Sequence, residues 1–225
     1  MNILGIETSG RLCRVGIVSD TLPAAEWYKS VGNAFSETLF SLVRDVLVKA
    51  GITIKEVDGV AVCIGPGSFT GIRVGLSAAK GIAHSLPAAL IGISAFEVLV
   101  HTTKKFPICC VVPIKADKNA YMVLHSADEF LRPTAFKTGN WNEVIQEANQ
   151  AGKICGDFNP EILDILQKRL ADTTDKYPIS ISAVAVAEIG MRKLKHGAVD
   201  SIVNLVPEYA LTVEFCEKPS LLQTK

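Results

Sequence analysis

The chain has 225 residues, 48% of them hydrophobic and 20% charged, which suits one large globular domain or two small ones with an ample core. Lysine plus arginine and aspartate plus glutamate stand at 23 each, so no net field draws the chain to nucleic acid or to an anionic membrane. No apolar run approaches the ~20 residues needed to span a bilayer, and Asn2-Ile3-Leu4-Gly5-Ile6 enters a strand with no charged-then-apolar leader, so a cytoplasmic protein is expected.

Taken in order, Ile3 to Glu7 and Arg14 to Ser19 read as strands joined in a hairpin by Thr8-Ser9-Gly10-Arg11, and Ala24 to Ser30 as a third. Asn33 caps a helix from about Ala34 to Ala50 that Gly51 closes, with Phe35, Leu39, Leu42, Val43 and Val46 on its core face. Phe40 and Leu47 sit together at one margin of that face. Thr53-Ile54-Lys55-Glu56 is a capping-box pattern for a single helical turn. Strand Val60 to Ile64 then enters Gly65-Pro66-Gly67-Ser68, a strand-to-helix turn in which Ser68 is the N-cap of a helix from Phe69 to Ser85. Strand Ala89 to Ser94 and helix Ala95 to Thr102 follow. Lys104 to Pro107 reads as a linker. Beyond it come strands Ile108 to Ile114 and Ala120 to Leu124, then residues 125 to 140 as loop or further strand. Helix Trp141 to Gln150, strand Lys153 to Gly156, a helix capped by Asn159 with Pro160 first, and a helix from Ser182 to His196 complete the elements. The end, Glu217 to Lys225, is expected to be mobile. No internal repeat is visible.

The helix from Phe69 to Ser85 is unusual. Gly71, Gly75 and Gly81 lie in its interior, each costing on the order of 1 kcal/mol relative to alanine. Gly71, Gly75, Ala79 and Ala83 form a small-residue ridge at i, i+4 spacing that lets another backbone come close. Arg73, Ser77, Lys80 and His84 share one polar arc, and nearly everything else is apolar or small, a wider stripe than a one-sided surface helix needs. The helix is therefore either doubly covered inside one domain or part of a subunit interface.

The β-β-β-α-β-α-β-α order implies a mixed sheet with helices on its faces and resembles one lobe of the actin/Hsp70/sugar-kinase (ASKHA) architecture. The expected fold is α/β: an ASKHA-like lobe over residues 1–104 that carries the interface helices, and a smaller, degenerate second α/β lobe over 105–225, part of 182–210 packing back on the first.

Three segments together are similar to the TsaB/YeaZ family: ILGIETSGRLCRVGIV at 3–18, AVCIGPGSFTGIRVGLSAAKGIAH at 61–84, and IGIS at 91–94 followed by Ala95-Phe96-Glu97. The resemblance covers the first ~105 residues. It implies a non-catalytic partner of a TsaD-type enzyme in forming threonylcarbamoyladenosine at tRNA position 37. It also implies a TsaE-type ATPase as a further partner, a homodimer when alone, and tRNA contact only through the complex. No cofactor of its own is expected, with ATP or ADP and metal on the partner or at the subunit interface. TsaD-type relatives place a metal-binding H-x-x-x-H after the strand that here is Leu90 to Ile93. The aligned positions are Ala95 and Leu99, with Glu97 between them. This chain also departs from its family at Phe35, at Lys115-Ala116-Asp117 and at Ala210-Leu211. The interface expected is Phe40, Leu47, Gly71, Arg73, Gly75, Leu76 and Ala79. A bulky residue at Gly75 is expected to block association and leave the monomer folded.

The alternatives are an independent actin-fold ATPase or phosphotransferase, or a peptidase. Glu7, Thr8 and Ser9 stand where a first phosphate loop would be, and Gly65, Gly67 and Ser68 open a helix whose free N–H groups suit an anion. That second loop lacks the Walker pattern and reads more simply as a structural turn. Asp117, Asp128 and Glu129 are candidate paired carboxylates or merely solvated acids, and Arg192, Lys193, Lys195 and His196 complement a helix dipole. The six cysteines (13, 63, 109, 110, 155, 216) show no C-x-x-C pair and no metal spacing, and read as reduced, mostly buried thiols.

Overall fold

The structure, a computed structural model, describes residues 1–30, 35–115, 117–126 and 136–210. The expected cap at Asn33, the carboxylates Asp128 and Glu129, Cys216 and the 217–225 tail lie outside the described residues.

The first sheet has strand order β3-β2-β1-β4-β5, built from β1 (Asn2–Glu7), β2 (Leu12–Ser19), β3 (Ala25–Ser30), β4 (Gly59–Gly65) and β5 (Ala89–Ser94). The β1–β2 and β2–β3 pairs are antiparallel, and β4 joins β1 and β5 in parallel. Alternation sorts the side chains of β1. Ile3 goes to a core beneath one face, Leu4 and Ile6 to a core beneath the other. On the second face lie α1 (Phe35–Ala50) and α2 (Phe69–Ser85), which bury Leu39, Val46, Leu76 and Ala79.

A second sheet of order β10-β9-β6-β7-β8 comprises β6 (Ile108–Lys115), β7 (Lys118–Leu124), β8 (Lys137–Gly139), β9 (Lys153–Gly156) and β10 (Asp175–Pro178). Its outer face carries α4 (Trp141–Ala151) and α5 (Pro160–Arg169), with Trp141, Val144 and Leu166 buried against Cys109 and Val111. Strand directions repeat those of the first sheet. Both halves therefore run β-β-β-α-β-α-β-α with one topology, a repeat that the sequence does not display. Topology depends on periodicity and turn placement, which unrelated side chains satisfy equally well.

The helix that ends each half covers the other half's sheet. From the first half, α3 (Ala95–Thr103) packs against β6 as well as against its own strands, while α6 (Ala183–Lys195), from the second, lies across β1, β2 and β4. Two glycines allow this approach. Gly5 and Gly16 face each other across the β1–β2 pair, and a Cβ on Gly5 would come within 2.0 Å of the Ala183 carbonyl oxygen. Glu26 accepts from the Ser182 hydroxyl at 2.7 Å and from Val184 N–H at 3.0 Å, fixing the start of α6 on the sheet edge.

Local signals place most elements. Ser68 Oγ accepts from Gly71 N–H at 3.2 Å, and Asn159 Oδ1 from Ile162 N–H at 2.7 Å behind Pro160. Thr53 and Glu56 form the expected capping box. Replacing Ser68 by alanine is expected to cost about 1 kcal/mol, read as a lower urea midpoint with unchanged m-value; an unaltered midpoint would show that the hydroxyl is not what starts α2. Among the described residues five cysteines are buried, and burial pushes the Cys13 and Cys63 thiols up to about 12, so both stay protonated.

Candidate functional site

Two places collect the residues singled out by sequence. The first is the turn between β1 and β2. Glu7, Thr8 and Ser9 are all buried, and Glu7 folds back over its own turn. Its Oε1 accepts from Ser9 N–H at 2.6 Å, Ser9 Oγ–H at 2.6 Å and Gly10 N–H at 3.2 Å. Burial raises the Glu7 carboxyl to about 7, against the pull of these donors and of Arg14. Asp157, just past β9, stands beside Gly10 from the other half of the chain, and burial raises its carboxyl too, opposed by Arg14 and Arg11.

The Gly65–Ser68 turn packs on this hairpin. Ser68 N–H donates to the Ser9 carbonyl at 2.7 Å, and a Cβ on Gly67 would lie 2.4 Å from that same oxygen. Gly65 has φ +112°, open to glycine alone at little strain. Ser68, Gly71 and Ile72 N–H groups all donate within the chain. These donors at the start of α2 are therefore engaged internally, which favours the structural-turn reading of Gly65, Gly67 and Ser68.

The second place is the helical surface. Here the structure separates residues that the sequence grouped. A Cβ on Gly71 would meet the Thr8 carbonyl oxygen at 1.9 Å, and one on Gly75 would meet Thr8 Oγ1 at 2.2 Å. Thr8 Oγ1 in turn donates to the Gly71 carbonyl at 2.7 Å. The small ridge thus receives Thr8 of the same chain, and Gly71, Gly75, Leu76 and Ala79 are buried under the sheet. The expectation that a bulky residue at Gly75 leaves the monomer intact is corrected accordingly: it collides with Thr8, just past β1, before any partner arrives.

Phe40 behaves differently, whereas Leu47 is buried in the core at the edge of the same groove. Both line an open groove of about 330 Å³ along α1, with Arg44, Val48 and Ile52. Phe40 is 53% exposed and Val48 74%. Val48 was missed by sequence reading, although it lies eight residues beyond Phe40 and so on the same helical face. Arg73 is on the exposed side of α2, where its guanidinium lies 3.7 Å from the Phe69 ring centroid and Nε donates to Tyr209 Oη at 2.7 Å. The segment carrying Tyr209 is tied down by Glu208 N–H donating to the Ile64 carbonyl at 2.8 Å. Proximity of Tyr209 to α2 leaves no periodic trace in sequence.

Beside the C-terminal ends of β4 and β5, Glu97 caps α3 by accepting from Ser94 N–H at 2.8 Å and pairs with Lys193 at 2.7 Å. Ala95 and Leu99, on either side of it, are wholly buried in the apolar core. Asp117 accepts from Trp141 N–H at 3.0 Å, so it serves the start of α4. Among the described residues, no group of three His, Cys, Asp or Glu side chains is placed to hold a metal ion.

Comparison with known proteins bears on this geometry. A family model described as "TsaD: tRNA N6-adenosine threonylcarbamoyltransferase" matches residues 29–132. The TsaB protein of Escherichia coli (tRNA threonylcarbamoyladenosine biosynthesis protein TsaB) is 31% identical over 99 residues, covering 44% of this chain and 42% of that protein. The tRNA N6-adenosine threonylcarbamoyltransferase of Symbiobacterium thermophilum is 35% identical over 105 residues, 44% of this chain and 31% of the enzyme. The matched stretches thus span less than half of either relative's own length. Among solved structures, YeaZ from Pseudomonas aeruginosa superposes with a TM-score of 0.71 at 16% identity, over 92% of this chain and 99% of that one. Over part of its length the chain is thus similar both to a TsaB protein and to threonylcarbamoyltransferases.

The YeaZ likeness extends through both sheets, where the sequence resemblance faded after about residue 105, and it shows the fold. That fold has the expected mixed sheets with helices on their faces. No helix among the described residues is long and apolar enough to cross a membrane.

Proposed function

We propose that this chain is a non-catalytic cytoplasmic subunit that docks on a TsaD-type threonylcarbamoyltransferase and supports it in forming N6-threonylcarbamoyladenosine at tRNA position 37. The observation that carries the reading is the apolar groove of α1, with Phe40 and Val48 exposed on a chain similar to TsaB. An exposed aromatic beside aliphatic neighbours is a natural anchor for a partner helix. In the reading, the partner supplies metal and transfer chemistry. Ala95 and Leu99 fill the positions aligned with the metal-binding histidines, and both face the core. ATP or ADP belongs to the partner or to the subunit boundary, a TsaE-type ATPase joins the assembly, and tRNA is reached only through the complex. Without its partner the groove pairs with a second copy.

Support for docking through α1 rather than through the glycine ridge comes from burial, since only the former presents side chains to solvent. Size-exclusion chromatography with light scattering, on this protein alone and mixed with its genome's H-x-x-x-H paralogue, is the direct test. A mass equal to one of each chain is expected for the mixture. Phe40→Asp, at a half-exposed site that the fold tolerates, is expected to weaken association at least tenfold with unchanged circular dichroism. Retained binding by folded Phe40→Asp would reject the α1 groove as the surface. Separate elution of the wild-type chains at tens of micromolar, with and without Mg-ATP, would reject docking itself.

A further inference from the structure

The solvent side of α2 carries one polar stripe, and that stripe holds no acid. Arg73, Ser77, Lys80 and His84 recur at i, i+4, i+7 and i+11 on the side away from the sheet, all exposed or half-exposed. None of the 17 residues of α2 is Asp or Glu. Among the described residues, Lys80 and His84 make no hydrogen bond or ion pair, and Arg73 meets no carboxylate.

Arg73 is also set in place before any partner arrives. Its guanidinium lies 3.7 Å from the Phe69 ring centroid and 5.5 Å from that of Tyr209, with the two rings 4.8 Å apart. Nε is spent on the Tyr209 hydroxyl. The two terminal nitrogens remain as a flat fork that matches a carboxylate, and the stack has already ordered the side chain that carries them.

The neighbouring helix does not offset this charge. α1 contacts α2, and its exposed charges cancel, Glu37 and Asp45 against Arg44 and Lys49. A positive excess therefore lies beside the apolar groove of α1, on a chain whose net charge is zero. Packed helices sit about 8–10 Å apart, so one helix seated over the groove reaches the stripe with its flank.

We propose that this surface selects a partner helix with an apolar face for Phe40 and Val48 and an acidic flank for Arg73 and Lys80. The proposal rests on the docking reading above and adds the partner's chemistry to it. The fit is to a foreign helix, since α2 set against the α2 of a second copy brings Arg73 and Lys80 against their own kind. Apolar contact holds the complex once formed, while complementary charge speeds encounter and rejects wrong partners.

The test is association kinetics with the H-x-x-x-H paralogue at about 0.05 and 0.5 M sodium chloride. For wild type the association rate is expected to fall about tenfold across this range while dissociation changes little. Lys80→Glu, at a side chain with no partner inside the chain, is expected to lose that salt dependence and to associate about tenfold more slowly in low salt. Its thermal midpoint is expected to match wild type. Arg73→Lys keeps the charge and loses the fork, so faster dissociation is expected with the salt dependence retained. Wild-type association indifferent to salt, or Lys80→Glu binding at the wild-type rate, would overturn the acidic flank and leave docking through α1 standing. Self-association with no paralogue complex at either salt concentration would overturn both.

Discussion

Glu7→Gln is expected to flatten the pH dependence of stability between about pH 4.5 and 8. In the folded chain burial raises the Glu7 carboxyl from 4.5 to about 7. Between those values the folded state holds a proton that the unfolded state has released, so stability falls as pH rises through the window. At 1.36 kcal/mol per pKa unit the loss is about 3 kcal/mol, complete only above the folded value. Glutamine keeps an acceptor for the three turn donors and carries no charge to bury. Asp157 and Glu208 are also raised by burial and act in the same direction, so the wild-type curve contains more than Glu7. The difference between wild type and Glu7→Gln isolates it. Urea unfolding at four pH values across the window should give curves that diverge steadily toward pH 8. Parallel curves would mean that Glu7 is ionised in the folded state as readily as in the unfolded one.

The second large effect is expected at Gly71. An alanine there places its Cβ 1.9 Å from the backbone oxygen of Thr8, which no rotamer change can move. The strand must shift or α2 must lift, at a cost of about 3 kcal/mol, at the upper end of ordinary overpacking. Gly81, ten residues along the same helix, has nothing within 4 Å of its would-be Cβ. Gly81→Ala is accordingly expected to stabilise by about 1 kcal/mol through helix propensity alone. Opposite signs for one substitution in one helix separate close packing from propensity. If both variants move stability the same way, the Thr8 contact does not hold α2 against the sheet.

This pair shows how far sequence carried. The ridge of small residues was legible, because i, i+4 spacing is a local pattern. Its occupant was not, because Thr8 is more than sixty positions away. Turn and cap chemistry located α2, β5 and the start of α5 well, since Ser68 and Asn159-Pro160 act within a few residues. β8 and β10 escaped clear assignment. They are three and four residues long, and β10 owes its strand character to parallel pairing with β9. Likewise the groove residues Phe40 and Leu47 belong to one helix and were found together, whereas Glu7 looked like a site residue and proved to be engaged with its own turn. What sequence lacked in each case was the non-local neighbour.

The exchange of closing helices between the two sheets also sets the order in which the chain can fold during synthesis. β1, β2 and β4 emerge early, yet the face they share is covered by α6, which begins only at Ala183. At roughly 5–20 residues per second, several seconds pass between completion of α3 and arrival of that helix. During this interval Ile3, Ala61 and Ile91 have no lid, and the nascent first half presents an apolar sheet to whatever is near the ribosome. The first half therefore keeps an uncovered apolar face until the last helix is made.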